Sequence, residues 1–374
     1  MKYISLFWAS EKMAEVIKDW DNFKIVAPPL AGALLVKGLR RGRPVSAGEV
    51  LARRQGESFG DIHAPVAGVI AEISSTEIVI RRDSAAVGDP PRPVDLSGLS
   101  RAGLSRVLKE LGVDLPEFLP GAPVIISTFN SEPGLTFALA LLNEHRETLG
   151  AGLVAVLALN PGARVIWAVD RPGQAPAGVE EYILKYRNYP KTLPALVKKE
   201  IMGNYDPAGR GVLGLRDLQT LGRVFRTGLP LTHLVLTLGG ANYFVPVGAR
   251  AIDLLTFANL LPGPGDAVVA GGLIRGRTLA RLEQGLGKNI EGLHLVRAPA
   301  GSGPPAPCRR CGNCARACPV GLPLFLFVHR EPVAWPGLIN QARSEWSGCL
   351  GCGACALACP VGRPLLALSR LLKA

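Results

Sequence analysis

The chain has 374 residues, 48% of them apolar, and its 42 Lys and Arg against 30 Asp and Glu give a formal charge of +12. This length and apolar content support two or three ordered domains and exclude a disordered polyelectrolyte. The positive balance suits an anionic membrane surface or an acidic redox partner, but the basic residues are scattered without interleaved aromatics, so nucleic acid is not an expected partner.

Residues 1–22 interleave Ile4, Leu6, Phe7, Met13, Val16 and Ile17 with Glu11, Lys12, Glu15, Lys18 and Asp19. The charges break a signal-peptide core, and the apolar spacing predicts a short amphipathic docking segment. No run reaches the eighteen apolar residues of a membrane span, so a cytoplasmic chain is expected.

Residues 23–88 change to short strands and glycine turns, with alternation from Val69 to Ile80 that predicts a half-buried hairpin. The pattern is that of a small β domain of the barrel-sandwich type. A lipoyl-type carrier would need a lysine at the tip, where Pro65-Val66-Ala67-Gly68 stands instead. His63 could reach a flavin or a metal, but it has no second ligand beside it and reads as a structural or surface histidine.

A proline-rich joint at 89–93 leads into a central α/β domain over residues 94–225. A helix is expected from Ser100 to Leu111, a strand from Ala122 to Ser127, a helix from Phe137 to Leu149, then strands at Val154 to Ala158 and Arg164 to Val169. Gly209-Arg210-Gly211-Val212-Leu213-Gly214 matches neither a dinucleotide fingerprint nor a P-loop, and reads as a turn. Residues 226–298 run strand, turn, strand, helix, strand, a β-grasp-like unit, and the proline-rich stretch from Pro299 to Pro307 opens a C-terminal module over 299–374.

All eight cysteines lie in that module. The first run is Cys308-x2-Cys311-x2-Cys314-x3-Cys318-Pro319, and the second repeats it as Cys349-x2-Cys352-x2-Cys355-x3-Cys359-Pro360. A 4Fe-4S cubane needs four converging thiolates; three close cysteines wrap one face, and in bacterial runs of this spacing the fourth ligates the other cluster. The spacing thus predicts one site from Cys308, Cys311, Cys314 and Cys359 and another from Cys349, Cys352, Cys355 and Cys318. Disulfides suit small secreted domains, and zinc sites do not call for the third closely spaced cysteine. Arg309, Arg310, Arg316 and Arg343 lie close to the cysteine runs, either as compensating positive charge around the anionic clusters or as ordinary solubilising residues.

The chain resembles the C-subunit family of the Rnf ion-translocating electron-transfer complex. The resemblance is carried by His63-Ala64-Pro65-Val66-Ala67-Gly68, by Phe129-Asn130-Ser131-Glu132-Pro133-Gly134, by Tyr189-Pro190, by the Val245 to Gly272 stretch and by both cysteine runs. It implies a central domain similar to the flavin- and NADH-binding subunit of respiratory complex I. It also implies partners that are the other subunits of a membrane redox complex, with donor and acceptor proteins, and a place on the cytoplasmic face of the membrane. The same resemblance gives Asn130 and Glu132 as residues of an FMN site if a flavin is bound; without one, Glu132 reads as a capping or surface carboxylate. The glycine-rich loop of such sites is sought at residues 99–108, where Leu104, Val107 and Leu108 stand instead and speak against FMN and against direct NADH oxidation. The expected function is electron relay through two 4Fe-4S clusters. The alternatives are an FMN-containing NADH:ferredoxin or NADH:quinone oxidoreductase subunit and an iron-sulfur scaffold. Phe325, Phe327 and His329, after the first run, are candidates for partner docking or for packing over the module.

Overall fold

The computed structural model describes residues 24–26, 33–56, 58–74, 77–83, 91–119, 121–297, 306–322, 324 and 348–367. The expected docking segment 1–22, and Phe325, Phe327, His329 and Arg343, lie outside the described residues.

The first region contains seven short strands, β1 (Lys24–Val26), β2 (Ala33–Leu35), β3 (Pro44–Val45), β4 (Val50–Arg54), β5 (Ile62–His63), β6 (Gly68–Ile73) and β7 (Ile78–Arg82). They form two antiparallel sheets, β1-β7-β6-β3 and β2-β4-β5. The expected hairpin is β6–β7, with a register shift between Ile70 and Glu72. Ile70, Ile78 and Ile80 have no solvent exposure and pack with Val45, Leu51 and Ile62. His63 is buried in this layer, where desolvation lowers its pKa to about 4 and keeps the imidazole neutral.

Next, α1 (Arg101–Glu110) begins at Ser100, whose Oγ accepts from the Gly103 N–H at 3.2 Å. Leu104 and Leu108 are buried on its inner face. Residues 101–108 therefore lie in a helix and not in a loop, and Leu104 and Leu108 fill the α/β core.

The central sheet is parallel, in the order β10-β9-β8-β11. Its chain runs β8 (Val124–Ser127), α2 (Phe137–Glu144), α3 (Arg146–Leu159), β9 (Val165–Val169), β10 (Glu180–Ile183), α4 (Pro194–Met202), β11 (Val212–Gly214) and α5 (Leu215–Thr227). The strand expected from Val154 to Ala158 is the second half of α3. The apolar run there has no period of its own, and the helix buries Leu153, Ala155, Val156 and Leu159 while leaving Val154 and Leu157 exposed. The expected helix from Phe137 to Leu149 is interrupted at His145. Glycines bring α3 against α5: a Cβ at Gly152 would stand 2.2 Å from the Leu218 carbonyl oxygen, and one at Gly222 1.9 Å from that of Thr148. The expected turn at 209–214 holds only through Gly211, after which the chain enters β11 and α5.

A five-stranded mixed sheet follows, in the order β13-β12-β16-β14-β15. Its elements are β12 (His233–Leu238), β13 (Ala241–Pro246), α6 (Ala251–Phe257), β14 (Ala267–Ala270), β15 (Arg277–Thr278) and β16 (Gly292–Val296). Two buried cations tie the layers together. The Arg216 Nε on α5 donates to the Val235 carbonyl at 2.7 Å, and its Nη2 donates to those of Lys288 and Ile290. Lys288 Nζ donates to the carbonyls of Gly60, Asp61 and Gly112, so one ammonium joins all three regions.

Candidate iron-sulfur centre

The two cysteine runs fold as near copies of each other. Each has a one-turn helix, α7 (Asn313–Arg316) and α8 (Ala354–Leu357), entered from a left-handed glycine, Gly312 at φ 74° and Gly353 at φ 69°. Each also turns after its Cys-Pro at a glycine of positive φ, Gly321 and Gly362. The residue before each second cysteine is left-handed too: Arg310 at φ 54° in the first run and Gly351 at φ 61° in the second. That conformation aims the N–H of each at the first sulfur of its run, 3.4 Å to Cys308 Sγ and 3.4 Å to Cys349 Sγ. Such bonds stabilise a thiolate and tune a cluster's potential. Glycine takes the conformation freely, whereas Arg310 holds it at a cost.

The runs interleave. One cavity, of about 390 Å³, is lined by Cys308, Cys311, Cys314 and Cys359. A second, tighter one of about 20 Å³ is lined by Cys318, Cys349, Cys352 and Cys355, with Leu322, Leu324, Leu350 and Leu365 closing it. Among the described residues no three His, Cys, Asp or Glu side chains are placed to hold a single metal ion. The thiols are grouped by cavity without closing on a mononuclear site such as tetrahedral zinc. Four sulfurs about each cavity, with no carboxylate or histidine among its lining, are the donor set of a cubane. The first has room as it stands; the second requires its leucine wall to yield. Burial raises the pKa of Cys314 and Cys352, and pushes Cys355 up to about 12. Without metal these thiols hold their protons, and iron binding releases them.

The surroundings of the two sites differ. Cys352 and Ala354 pack with Leu193, Ala195 and Leu196 at the start of α4, flanked by Tyr189 and Tyr205. The Tyr189 hydroxyl donates to the Cys352 carbonyl, and that of Tyr205 to the Gly348 carbonyl at 2.5 Å. The Tyr189–Pro190 peptide is cis. From the other side, Ile274 abuts Gly353, where an added Cβ would be 2.7 Å from Ile274 Cγ2. At the first site Cys311 is exposed, as are Arg309, Arg310 and Arg316. Sequence reasoning misses Tyr205 and Ile274, and takes Tyr189 only as part of a family phrase.

Asn130 and Glu132 follow β8, at the carboxyl edge where the sheet order reverses between β8 and β11, the place where open α/β sheets bind ligands. Both engage the protein itself. Asn130 Oδ1 accepts from the Ala138 N–H in the first turn of α2 at 3.1 Å. Glu132 Oε2 accepts from the N–H groups of Ile274 and Arg275 at 3.2 and 2.7 Å, with the Arg275 guanidinium 3.9 Å from Oε1. Burial pushes the Glu132 carboxyl upward, while the Arg275 and Ile274 contacts oppose the shift. Beside Glu132 opens a cavity of about 700 Å³, with Gly271, Gly272 and Gly276 on one wall and Arg54, Arg275 and Lys288 among its cations.

A model of the 4Fe-4S dicluster domain matches residues 307–363, which span both runs. The C-subunit of the ion-translocating oxidoreductase complex of Yersinia pestis bv. Antiqua is 26% identical over 343 residues, covering 76% of this chain and 54% of its own. The chain is similar to the C-subunits of ion-translocating oxidoreductase complexes. That of Rhodobacter capsulatus is 23% identical over 340 residues, 77% of this chain and 65% of its own, and that of Pseudomonas aeruginosa 31% over 180 residues, 45% and 22%. The chain spans about half the length of the first Yersinia relatives it matches. Among solved structures, the H2-reduced NAD+-reducing [NiFe]-hydrogenase aligns with 54% of this chain and 45% of that one, at 16% identity and a TM-score of 0.36. The matched domain is one that carries two 4Fe-4S clusters. Among the described residues no helix is long and apolar enough to cross a membrane.

Proposed function

We propose that the chain relays electrons through its two 4Fe-4S clusters as a peripheral subunit of a membrane redox complex. The observation that carries this reading is the sorting of eight cysteines into two four-sulfur cavities, each taking three from one run and one from the other. Cys308, Cys311, Cys314 and Cys359 would hold the first cluster, and Cys349, Cys352, Cys355 and Cys318 the second. When bound, the clusters supply one-electron chemistry; the chain's own part is to supply thiolates, direct N–H groups at Cys308 and Cys349, and exclude water from the second site. The same reading divides the chain into a docking segment (1–22), a barrel-sandwich domain (23–88), a complex-I-flavoprotein-like domain (94–225), a β-grasp-like unit (226–298) and the cluster module (299–374). Its place would be the cytoplasmic face of the membrane beside integral subunits, with donor and acceptor proteins as further partners. Iron and acid-labile sulfide analysis of anaerobically prepared protein tests it: about eight of each are expected, and stoichiometric zinc or a single cluster would refute it.

The 700 Å³ cavity favours a second reading, in which the chain also holds FMN. Its glycine wall permits close backbone approach, and Arg54, Arg275 and Lys288 suit a phosphate. In that reading Glu132 positions the loop carrying Ile274 and Arg275 and leaves ring contacts to the backbone. Extraction of stoichiometric flavin from the anaerobic protein would establish it, and flavin-free protein with intact clusters would leave the relay alone.

A further inference from the structure

We infer that the exposed arginines around the first cysteine site are the docking face for an acidic electron-carrier protein. This rests on the relay reading and adds to it which cluster meets the partner, and through what chemistry. The second site is turned inward: Cys352 and Cys355 are buried, and Tyr189, Tyr205 and Leu196 on one side and Ile274 on the other stand between it and solvent. The first site faces outward, with Cys311 exposed at its mouth.

Among the described residues of the module, the charge around that mouth has one sign. Arg309, Arg310 and Arg316 are exposed, Arg363 lines the cavity from the second run, and no Asp or Glu occurs among the module's described residues at 306–322, 324 and 348–367. Arg316 is held in place through the Cys311 carbonyl at 3.0 Å and Asn313 Oδ1. Among the described residues the Arg309 side chain makes no hydrogen bond or ion pair, and Arg310 uses its backbone N–H toward Cys308. A cationic collar around an exposed redox site steers and orients a carrier whose own centre is ringed by carboxylates, through complementary potentials that act mainly on encounter. In the transfer itself one electron would pass from the carrier's reduced centre, which is oxidised, to the oxidised cluster that Cys308, Cys311, Cys314 and Cys359 would hold, which is reduced, and no bond or proton would change place.

The test uses the full, cluster-loaded chain and an acidic plant-type ferredoxin as probe, with affinity read by calorimetric titration at 20 and 300 mM salt and iron and sulfide measured on the same samples. Wild-type affinity is expected to fall roughly tenfold or more between the two salt concentrations. At low salt Arg309→Glu is expected to weaken binding about tenfold and Arg309→Gln about threefold, with full cluster content in both. Arg101→Glu on α1 makes the same change in net charge on an exposed residue of another element, and should alter affinity less than about twofold, separating a local face from the overall +12. Fully loaded protein whose affinity ignores Arg309, or responds equally to Arg101, would overturn the docking face alone. Protein that holds no cluster iron would overturn the relay reading and this inference with it.

Discussion

The two halves of the cysteine module share a backbone and differ in their neighbours. In the second half Gly351 occupies the left-handed position before the second cysteine, leucines close the cavity, and tyrosines from the loops either side of α4 clasp the loop. In the first half the same position is Arg310, the cavity is open, and the arginines beside it face solvent. The repeated spacing accounts for the likeness, and contact with the body accounts for the difference. A cluster buried against Leu193, Leu196 and Ile274 is shielded from water and locked to the α/β layers, whereas the outer one is accessible to a partner.

The largest contrast should come from removing ligands. Cys355→Ala takes a buried sulfur from the second site and is expected to abolish that cluster and loosen the module from the body, seen as new proteolytic cleavage near Gly348. Cys311→Ala should remove only the outer cluster and leave the cleavage pattern unchanged. Equal sensitivity to protease would erase the distinction.

In the body, acid should act through buried histidines. His63 and His233 each have a pKa lowered to about 4, mainly by burial, with Lys288 acting on the first and Arg223 on the second. Both are neutral when folded and free to charge when unfolded. Their contribution to stability is present above pH 6.5 and is lost as pH falls from 6.5 toward 4, by at most roughly 3 kcal/mol each. Urea unfolding across this range should show the loss, and His63→Gln should flatten part of it.

A matched pair of substitutions isolates the packing term. Gly312→Ala and Gly353→Ala both place a side chain at positive φ, which costs about 1 kcal/mol. At Gly312 the nearest obstacle is the flexible end of Arg316 at 3.3 Å, while at Gly353 it is Ile274 at 2.7 Å. The second variant should therefore be the less stable by about 1–3 kcal/mol, measured as the difference in thermal midpoint of the loaded proteins. Smaller still, Tyr205→Phe removes one hydrogen bond, to the Gly348 carbonyl, worth about 1 kcal/mol. It should speed loss of the inner cluster to chelator without changing the outer one.

Much of the site can be read from residues close in sequence. Cysteine spacing is legible because three ligands of a cubane come from one short run, and the proline after the fourth marks where the chain turns away. The strand at Val124–Ser127 and the helix at Arg101–Glu110 likewise carry their own pattern. Reading fails where local pattern is silent. The apolar run at Val154 has no period to separate strand from buried helix. Glu132 is legible as important but not in its role, because its partners Ile274 and Arg275 are more than 140 positions away. The clasp of Tyr189 and Tyr205 on the inner site is of the same long-range kind.

The exchange of the fourth cysteine between runs is the claim on which both sites stand, and single-cluster variants test it most directly. Cys318→Ala and Cys359→Ala should each retain about four irons, and the rate at which a chelator strips the remaining cluster reports which site it occupies. The account predicts a rapidly stripped, outer cluster in Cys318→Ala and a slowly stripped, inner one in Cys359→Ala. The reverse order, a slow cluster surviving loss of Cys318, would show that each run ligates its own cluster and would contradict the interleaved arrangement.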